Sequence, residues 1–292
     1  MIDSDLFYCE NGVIYPPFKK GRYLEEYFLE KMKTNNLETK RKYIPALWTN
    51  FQIKPWFSHR KQEMQTKLNE WINKNPSEKG YFTIVQYDDA CLLNLPENTV
   101  VYGSCSGDKP LPLIYEDTEN KLETFQRKSF QEKKILCSFV GTITSNNVQP
   151  NVRKVMINYL RRNKDFKFLL TNGWTDNVNK KKQDNFISTT LNSKFALAPR
   201  GYGRSSFRFF EIFQLGSIPI YLWNDKNWLP FQDILDYSKF SIVLNISEID
   251  KLEEILKSID ESKYKEMLEE YQKIKDFFTL EGMSNQIIKE VS

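Results

Sequence analysis

The chain has 292 residues, room for two domains with a core each, and its 40% hydrophobic and 14% aromatic content excludes a disordered chain. Forty-two basic against 38 acidic residues leave a formal charge of +4, too balanced for a nucleic-acid binder, which concentrates basic charge on one face. The four cysteines (Cys9, Cys91, Cys105, Cys137) form no CxxC pair and His59 is the sole histidine, so a zinc site is not expected. Nothing demands disulfides. The start, MIDSDLFYCENG, lacks a signal-peptide profile, and no stretch approaches the roughly 18 apolar residues of a membrane span, so a cytoplasmic, soluble protein is expected.

In chain order, the spacing of Tyr23, Leu24, Tyr27, Phe28 and Met32 predicts a helix over Arg22–Lys33. Met64, Leu68, Trp71 and Ile72 predict a second over Arg60–Asn73, stopping before Pro76. Strands are expected at Tyr81–Tyr87, Thr99–Gly103 and Pro112–Tyr115. The polar stretch Glu116–Lys134 reads as a linker, with the domain boundary near residue 130.

Beyond it the pattern is regular: strands at Ile135–Gly141, Phe166–Asn172, Lys194–Pro199, Ser217–Trp223 and Phe240–Asn245. Between them fall helices after Asn151, at Asn185–Asn192 and at Ser206–Leu215. Two more, Ile249–Ile259 and Lys263–Phe278, follow with Ser247 and Ser262 as caps. Short apolar strands alternating with helices mean βαβ units, an α/β fold whose strand C-termini share the edge where ligands bind. The lysine runs Lys19-Lys20 and Lys180-Lys181-Lys182 read as solvated loops, and Cys137 as a small core residue.

The most informative segment is APRGYGRSSFRFFEIFQLGSIPIYL, Ala198–Leu222. A strand delivers Arg200, Gly201 and Gly203 let the chain turn around Tyr202, and a helix starts near Ser205-Ser206, its backbone N–H groups forming an anion site. Arg200 and Arg204 flank the turn and Arg208 sits in the first helical turns; guanidinium forks suit phosphate oxygens. The helix is apolar almost all round and therefore buried, with Arg204, Arg208 and Glu211 on one stripe. Either Arg208 and Glu211 pair with each other, or Arg208 binds phosphate and Glu211 accepts from ribose hydroxyls. The turn is neither a GxGxxG nor a Walker A loop.

This segment, together with LPFQDILDYSKFSIVL (Leu229–Leu244), resembles the signature of exostosin-like glycosyltransferases. SFVGT (Ser138–Thr142) followed by Arg153 is similar to the donor half of that family, and Tyr43–Thr49, Tyr81–Ala90 and PLIY to the acceptor half of its short members. The resemblance covers most of the chain and is strongest over 138–245. It implies two Rossmann-like domains facing a central cleft (the GT-B plan): an acceptor side over 1–130 and a nucleotide-sugar donor domain with C-terminal helices over 131–292. It further implies an inverting transferase that moves a sugar from a nucleotide-diphosphate donor such as a UDP-sugar to a glycan hydroxyl, with no metal or other cofactor. Carried over, Arg200, Gly201, Tyr202, Ser205, Ser206 and Arg208 surround the diphosphate, Glu211 the ribose, and Gly141, Thr142 and Arg153 close the site from below. Many eukaryotic members are longer and Golgi-anchored; this chain is similar to the compact, soluble versions of microbes and large DNA viruses.

An inverting transfer needs a base for the acceptor hydroxyl. Asp88 and Asp89 follow a buried strand and are the candidates, Asp89 slightly ahead, with a loop or capping role as the alternative and His59 as a third option. Asp3-Ser4-Asp5 spells a DxD motif but precedes any core strand, so no metal role is assigned to it. Trp48, Trp56, Phe57 and Trp174 are either core or sugar-stacking residues. Two other readings stay open: a GDP-sugar-dependent, fucosyltransferase-like enzyme suggested by GSIPIYL, although its arginine–glutamate–lysine pattern is missing, and a non-catalytic glycan- or nucleotide-binding protein.

Overall fold

A computed structural model describes residues 1–10, 22–35, 37–117, 120–143, 150–171, 173 and 178–292. The chain divides into two compact units between Glu116 and Asp117, with Asp276–Ser292 belonging to the first unit. Each unit carries one parallel sheet, as the α/β reading requires.

In the first unit α1 (Leu24–Asn35), β1 (Lys42–Tyr43), α2 (Trp48–Gln52), α3 (Phe57–Lys74), β2 (Tyr81–Val85), β3 (Thr99–Gly103) and β4 (Lys109–Pro110) follow in order. The sheet runs β1-β2-β3-β4, every pair parallel. All five residues of β2 are buried, which is why its sequence lacks polar alternation and its one polar side chain, Thr83, is hydrogen-bonded. Trp48, Phe51, Met64 and Leu68 are wholly buried and form the core with Phe7. Trp48 places its indole N–H 2.7 Å from Thr83 Oγ1, so it is a core residue, and Phe57 is buried with it, while Trp56 is half-buried. The strand expected at Pro112–Tyr115 does not form: the ladder ends at Pro110, and Tyr115 makes only an isolated antiparallel bridge to Tyr23. Pro112 opens that segment without the N–H a ladder would need there.

The second unit is built from β5 (Ile135–Thr142), α4 (Val152–Leu160), β6 (Phe166–Thr171), α5 (Lys180–Leu191), β7 (Ser193–Pro199), α6 (Phe207–Gln214), β8 (Ile218–Trp223), β9 (Ile242–Asn245), α7 (Leu252–Ser258) and α8 (Glu261–Ile274). Its strand order is β6-β5-β7-β8-β9. After β5 the chain goes to one side for β6 and then to the other for β7. The C-termini of β5 and β7 therefore flank a topological switch point, where doubly wound folds place their ligands. The lysines at 180–182 are exposed but open α5, because Asn179 caps that helix by accepting from the Lys182 N–H. Asp260, two residues before the expected Ser262, caps α8, and α7 has no side-chain cap; Asn245 instead accepts from Ser247 N–H in the turn before it.

The chain closes with α9 (Leu280–Val291), which the sequence reading passed over, stopping at Phe278. Leu280, Met283, Ile287 and Val291 line its buried face at helical spacing, and Thr279 caps it by accepting from Gly282 N–H. Gly282 lowers helix propensity, which hides α9. Its lack of a side chain is required by packing, since a Cβ there would lie 1.9 Å from the Asp276 carbonyl oxygen. The helix packs within the first unit, through Lys31–Glu281 (2.6 Å) and Tyr102–Glu290 (3.1 Å), not with the C-terminal half as the sequence reading has it. Among the described residues no helix is long and apolar enough to cross a membrane.

Candidate functional site at the switch point of the second sheet

Gly141 and Thr142 end β5, and Arg200 follows the last residue of β7 on the adjoining strand. Arg153, in the first turn of α4, reaches under both: its Nη1 donates to the Thr142 carbonyl (3.0 Å) and its Nε to the Arg200 carbonyl (3.2 Å). Gly201 makes this possible. A Cβ there would approach Arg153 Nη2 to 3.0 Å, so a side chain at this position would push the guanidinium aside by a few tenths of an ångström. Space, not a positive φ, is the reason for this glycine: the described positive-φ glycines are Gly80, Gly107, Gly173 and Gly216.

Arg200 is 5% exposed and turned inward. Its Nη1 donates to Asn224 Oδ1 (2.9 Å) and is ion-paired to Asp225, while Nη2 holds the Tyr202 carbonyl (2.9 Å). Its Nε is buried without a hydrogen-bond partner. Arg204 bonds the other oxygen of Asp225 through Nε (2.9 Å), lies 5.5 Å from the Trp228 ring, and has its carbonyl held by the Tyr221 hydroxyl (2.6 Å). Burial raises the Asp225 carboxyl, but the Arg204 hydrogen bond and the Arg200 charge outweigh it, and the net shift is downward.

Helix α6 begins where Ser206 caps it, its side chain accepting from Arg208 N–H at 3.3 Å, with half-buried Ser205 just before. Phe207, Phe209, Phe210, Ile212 and Phe213 are all buried, which locks the helix and fixes where its first turn points; each such side chain contributes roughly 1.5–3 kcal/mol. Arg208 stacks over Phe186 at 3.5 Å and donates through Nη1 to Glu211 Oε2 at 2.8 Å. Of the two alternatives for this stripe, the pairing of Arg208 with Glu211 is the one present, and Glu211 is only 5% exposed. Tyr202 projects outward at the tip of the loop.

The structure thus brings Gly141, Thr142, Arg153, Arg200, Gly201, Tyr202, Ser205, Ser206, Arg208 and Glu211 into the second unit, on and around one sheet edge. It separates Asp88 and Asp89 from them by unit. These lie in the first unit, exposed in the turn after β2, with Ala90 at φ +60° closing it on the Tyr87 carbonyl. His59 is exposed in the first turn of α3, and Trp174 lies outside the described residues. Asp225 and Asn224 were missed in sequence. The signal that could have found them is the one that found Arg200: polar residues immediately after an apolar strand, here β8.

Comparison with known proteins follows the same residues. The model of the exostosin GT47 domain matches residues 86–259, which holds the whole second-sheet edge. A probable glycosyltransferase of Arabidopsis thaliana is 29% identical over 124 residues, 42% of this chain and 25% of that protein. The exostosin-1 homolog of Caenorhabditis elegans is 25% identical over 204 residues, 62% of this chain and 52% of its own length. Exostosin-1 of Drosophila melanogaster is 28% identical over 149 residues, 47% of this chain and 19% of that protein. The chain therefore spans from a fifth to about half of the length of these relatives.

Proposed function

The chain belongs to the exostosin GT47 glycosyltransferase family, and from that premise we propose that it is an inverting, metal-independent transferase moving a sugar from a UDP-sugar to a glycan hydroxyl. The observation that carries this reading is the convergence of Arg153, Arg200, Arg204, Arg208 and the N-terminus of α6 at one switch point. A diphosphate there meets guanidinium forks and the positive end of the α6 dipole together, which supplies its counter-charge without a cation. Arg204 and Arg208 keep about a third of their side-chain surface exposed and are the groups that reach the anion. Arg200, spent on Asp225, Asn224 and the Tyr202 carbonyl, shapes the loop. Glu211 is then released to the ribose hydroxyls when Arg208 turns to phosphate.

The acceptor oxygen attacks the anomeric carbon, the bond from that carbon to the β-phosphate oxygen breaks, and UDP leaves with the electron pair. The acceptor proton passes to the acidic turn of the first unit, Asp89 or Asp88. A cytoplasmic location belongs to the same reading.

The test is thermal unfolding with UDP, GDP, CDP and ADP, each with and without EDTA. At 100 times the dissociation constant a ligand adds about 2.7 kcal/mol. A shift with UDP that persists in EDTA is the expected result. Loss of the shift in EDTA refutes metal independence, a shift with GDP alone moves the chain to a fucosyltransferase-like reading, and no shift with any nucleotide removes the donor site.

A further inference from the structure

Glu25 is the most deeply buried carboxylate of the first unit, 1% exposed, and the sequence gives no hint of it because it follows a helix-start pattern. It reaches across the C-terminal end of the sheet. Its Oε1 accepts from Gln86 N–H (2.6 Å), the residue directly after β2, and from the Thr49 hydroxyl (2.6 Å); its Oε2 accepts from Thr49 N–H (2.9 Å). Gln86 returns the contact, its Oε1 accepting from Leu24 N–H at 3.2 Å. One carboxylate thus ties the start of α1, the start of α2 and the end of β2. The next residues along the chain are Tyr87, Asp88, Asp89 and Ala90, whose carbonyl is held by Gln52 Nε2 from α2 (2.9 Å). The acidic turn is therefore pinned at both ends by buried polar side chains on or beside α1 and α2.

We propose that Glu25 is a positioning residue of the transfer reaction, which fixes the Asp88–Asp89 turn by accepting the Gln86 N–H. Glu25 touches no reacting atom in this scheme; it acts through the turn, and the catalytic half of the proposal rests on the transferase reading above. A buried carboxylate is costly, and a side chain used only for packing would be apolar at that position. What a carboxylate adds is acceptors for two backbone N–H groups and a hydroxyl at a position only 1% exposed.

Its surroundings make the hold pH-sensitive. Burial, with Glu26 adding repulsion from the same helix, pushes Glu25 up to about 7. Tyr43 on β1 and Cys91 beyond the turn also face it, and each is raised in part by the Glu25 charge. When Glu25 takes a proton, its only partner able to accept that proton is the Thr49 hydroxyl, and the Gln86 N–H is left with a neutral, weaker acceptor.

Hydrogen exchange and turnover, compared in wild type, Glu25→Gln and Glu25→Asp, test this. The amide of Glu25→Gln has a single acceptor oxygen, so either Gln86 or Thr49 is left with an N–H facing an N–H. Expected are at least tenfold faster exchange of the Gln86 and Ala90 amides, unchanged exchange in the centre of β2, and unchanged UDP affinity. With whichever UDP-sugar of a panel the wild type consumes, kcat falls at least tenfold and KM for the donor stays. Glu25→Asp lies between. Corrected for intrinsic exchange, Gln86 protection in the wild type declines as pH falls through about 7 and is flat in Glu25→Gln. Faster exchange spread evenly over β2 and α1 overturns the proposal, as does a loosened turn with unchanged kcat. A wild type that neither binds UDP nor consumes a UDP-sugar sinks the transferase reading and the catalytic half with it, and the exchange comparison then still decides whether Glu25 holds the turn.

Discussion

Replacing Arg208 with alanine removes the cation ion-paired to Glu211 at 2.8 Å, a carboxylate only 5% exposed. Breaking a buried pair from one side costs about 3–5 kcal/mol, because the stranded charge keeps its desolvation penalty. Arg208 is 31% exposed, so water can enter the space it vacates, and the loss sits at the lower end, about 3 kcal/mol. The stacking of Arg208 on Phe186, about 0.5–1 kcal/mol, is lost whether or not position 211 is charged and cancels in a double-mutant cycle. Glu211→Gln alone removes the charge but keeps an acceptor, and costs about 1–2 kcal/mol. The double variant then recovers much of the Arg208→Ala loss, with a coupling of at least about 1 kcal/mol. Urea unfolding followed by tryptophan fluorescence gives the four stabilities, and calorimetric titration with UDP gives four affinities. Stability recovers in the double variant and UDP affinity does not, since the guanidinium proposed to bind phosphate is still missing. Additive stabilities, within about 0.5 kcal/mol, would refute the pairing argument, and full recovery of UDP affinity in the double variant would remove Arg208 from the donor site.

Glu25 is raised from the ordinary glutamate range to about 7, so it destabilises the fold once ionised. Between these values the folded state binds the extra proton, and stability rises as pH falls from above 7 towards 4.5, by about 3 kcal/mol as an upper bound; denaturation of wild type and Glu25→Gln from pH 5 to 8 gives diverging curves, and parallel ones contradict it. Lys133 is buried between the Leu191 carbonyl (3.1 Å) and Ser217 Oγ (3.0 Å), and burial, with Lys128 and Arg127 nearby, pushes it down to about 7. The unfolded chain holds that proton up to the ordinary lysine range, so stability climbs as pH rises above 7 in the wild type; Lys133→Met removes the climb, and its persistence in the variant would point to another group. Gly201→Ala puts a Cβ 3.0 Å from Arg153 Nη2, which shifts by a few tenths of an ångström and weakens its carbonyl contacts, at a cost of up to about 1 kcal/mol; an Arg153→Ala background abolishes that cost, and full additivity of the two changes is the opposing result.

Sequence alone determined the α/β class, the five strands of the second sheet to within two residues of each end, and the loop that ends in α6, because each rests on local signals: continuous apolar runs, glycine turns and a Ser cap. It also marked most of the residues that the second sheet brings to its C-terminal edge, since strand C-termini are legible once strands are. What it left undecided is what depends on partners far along the chain. Only the strand order β6-β5-β7-β8-β9 shows that β5 and β7 flank the switch point, and a strand order leaves no periodicity to read. The Gly201 role needs Arg153, 48 residues earlier, and the inward turn of Arg200 needs Asp225, 25 residues later. Glu25 reads as an ordinary first-turn acid of α1 until β2 and α2 close over it. Burial turns a surface-type residue into a structural one, and burial is a property of the closed fold, where the groups that one carboxylate holds have come from two distant parts of the chain, Thr49 and Gln86.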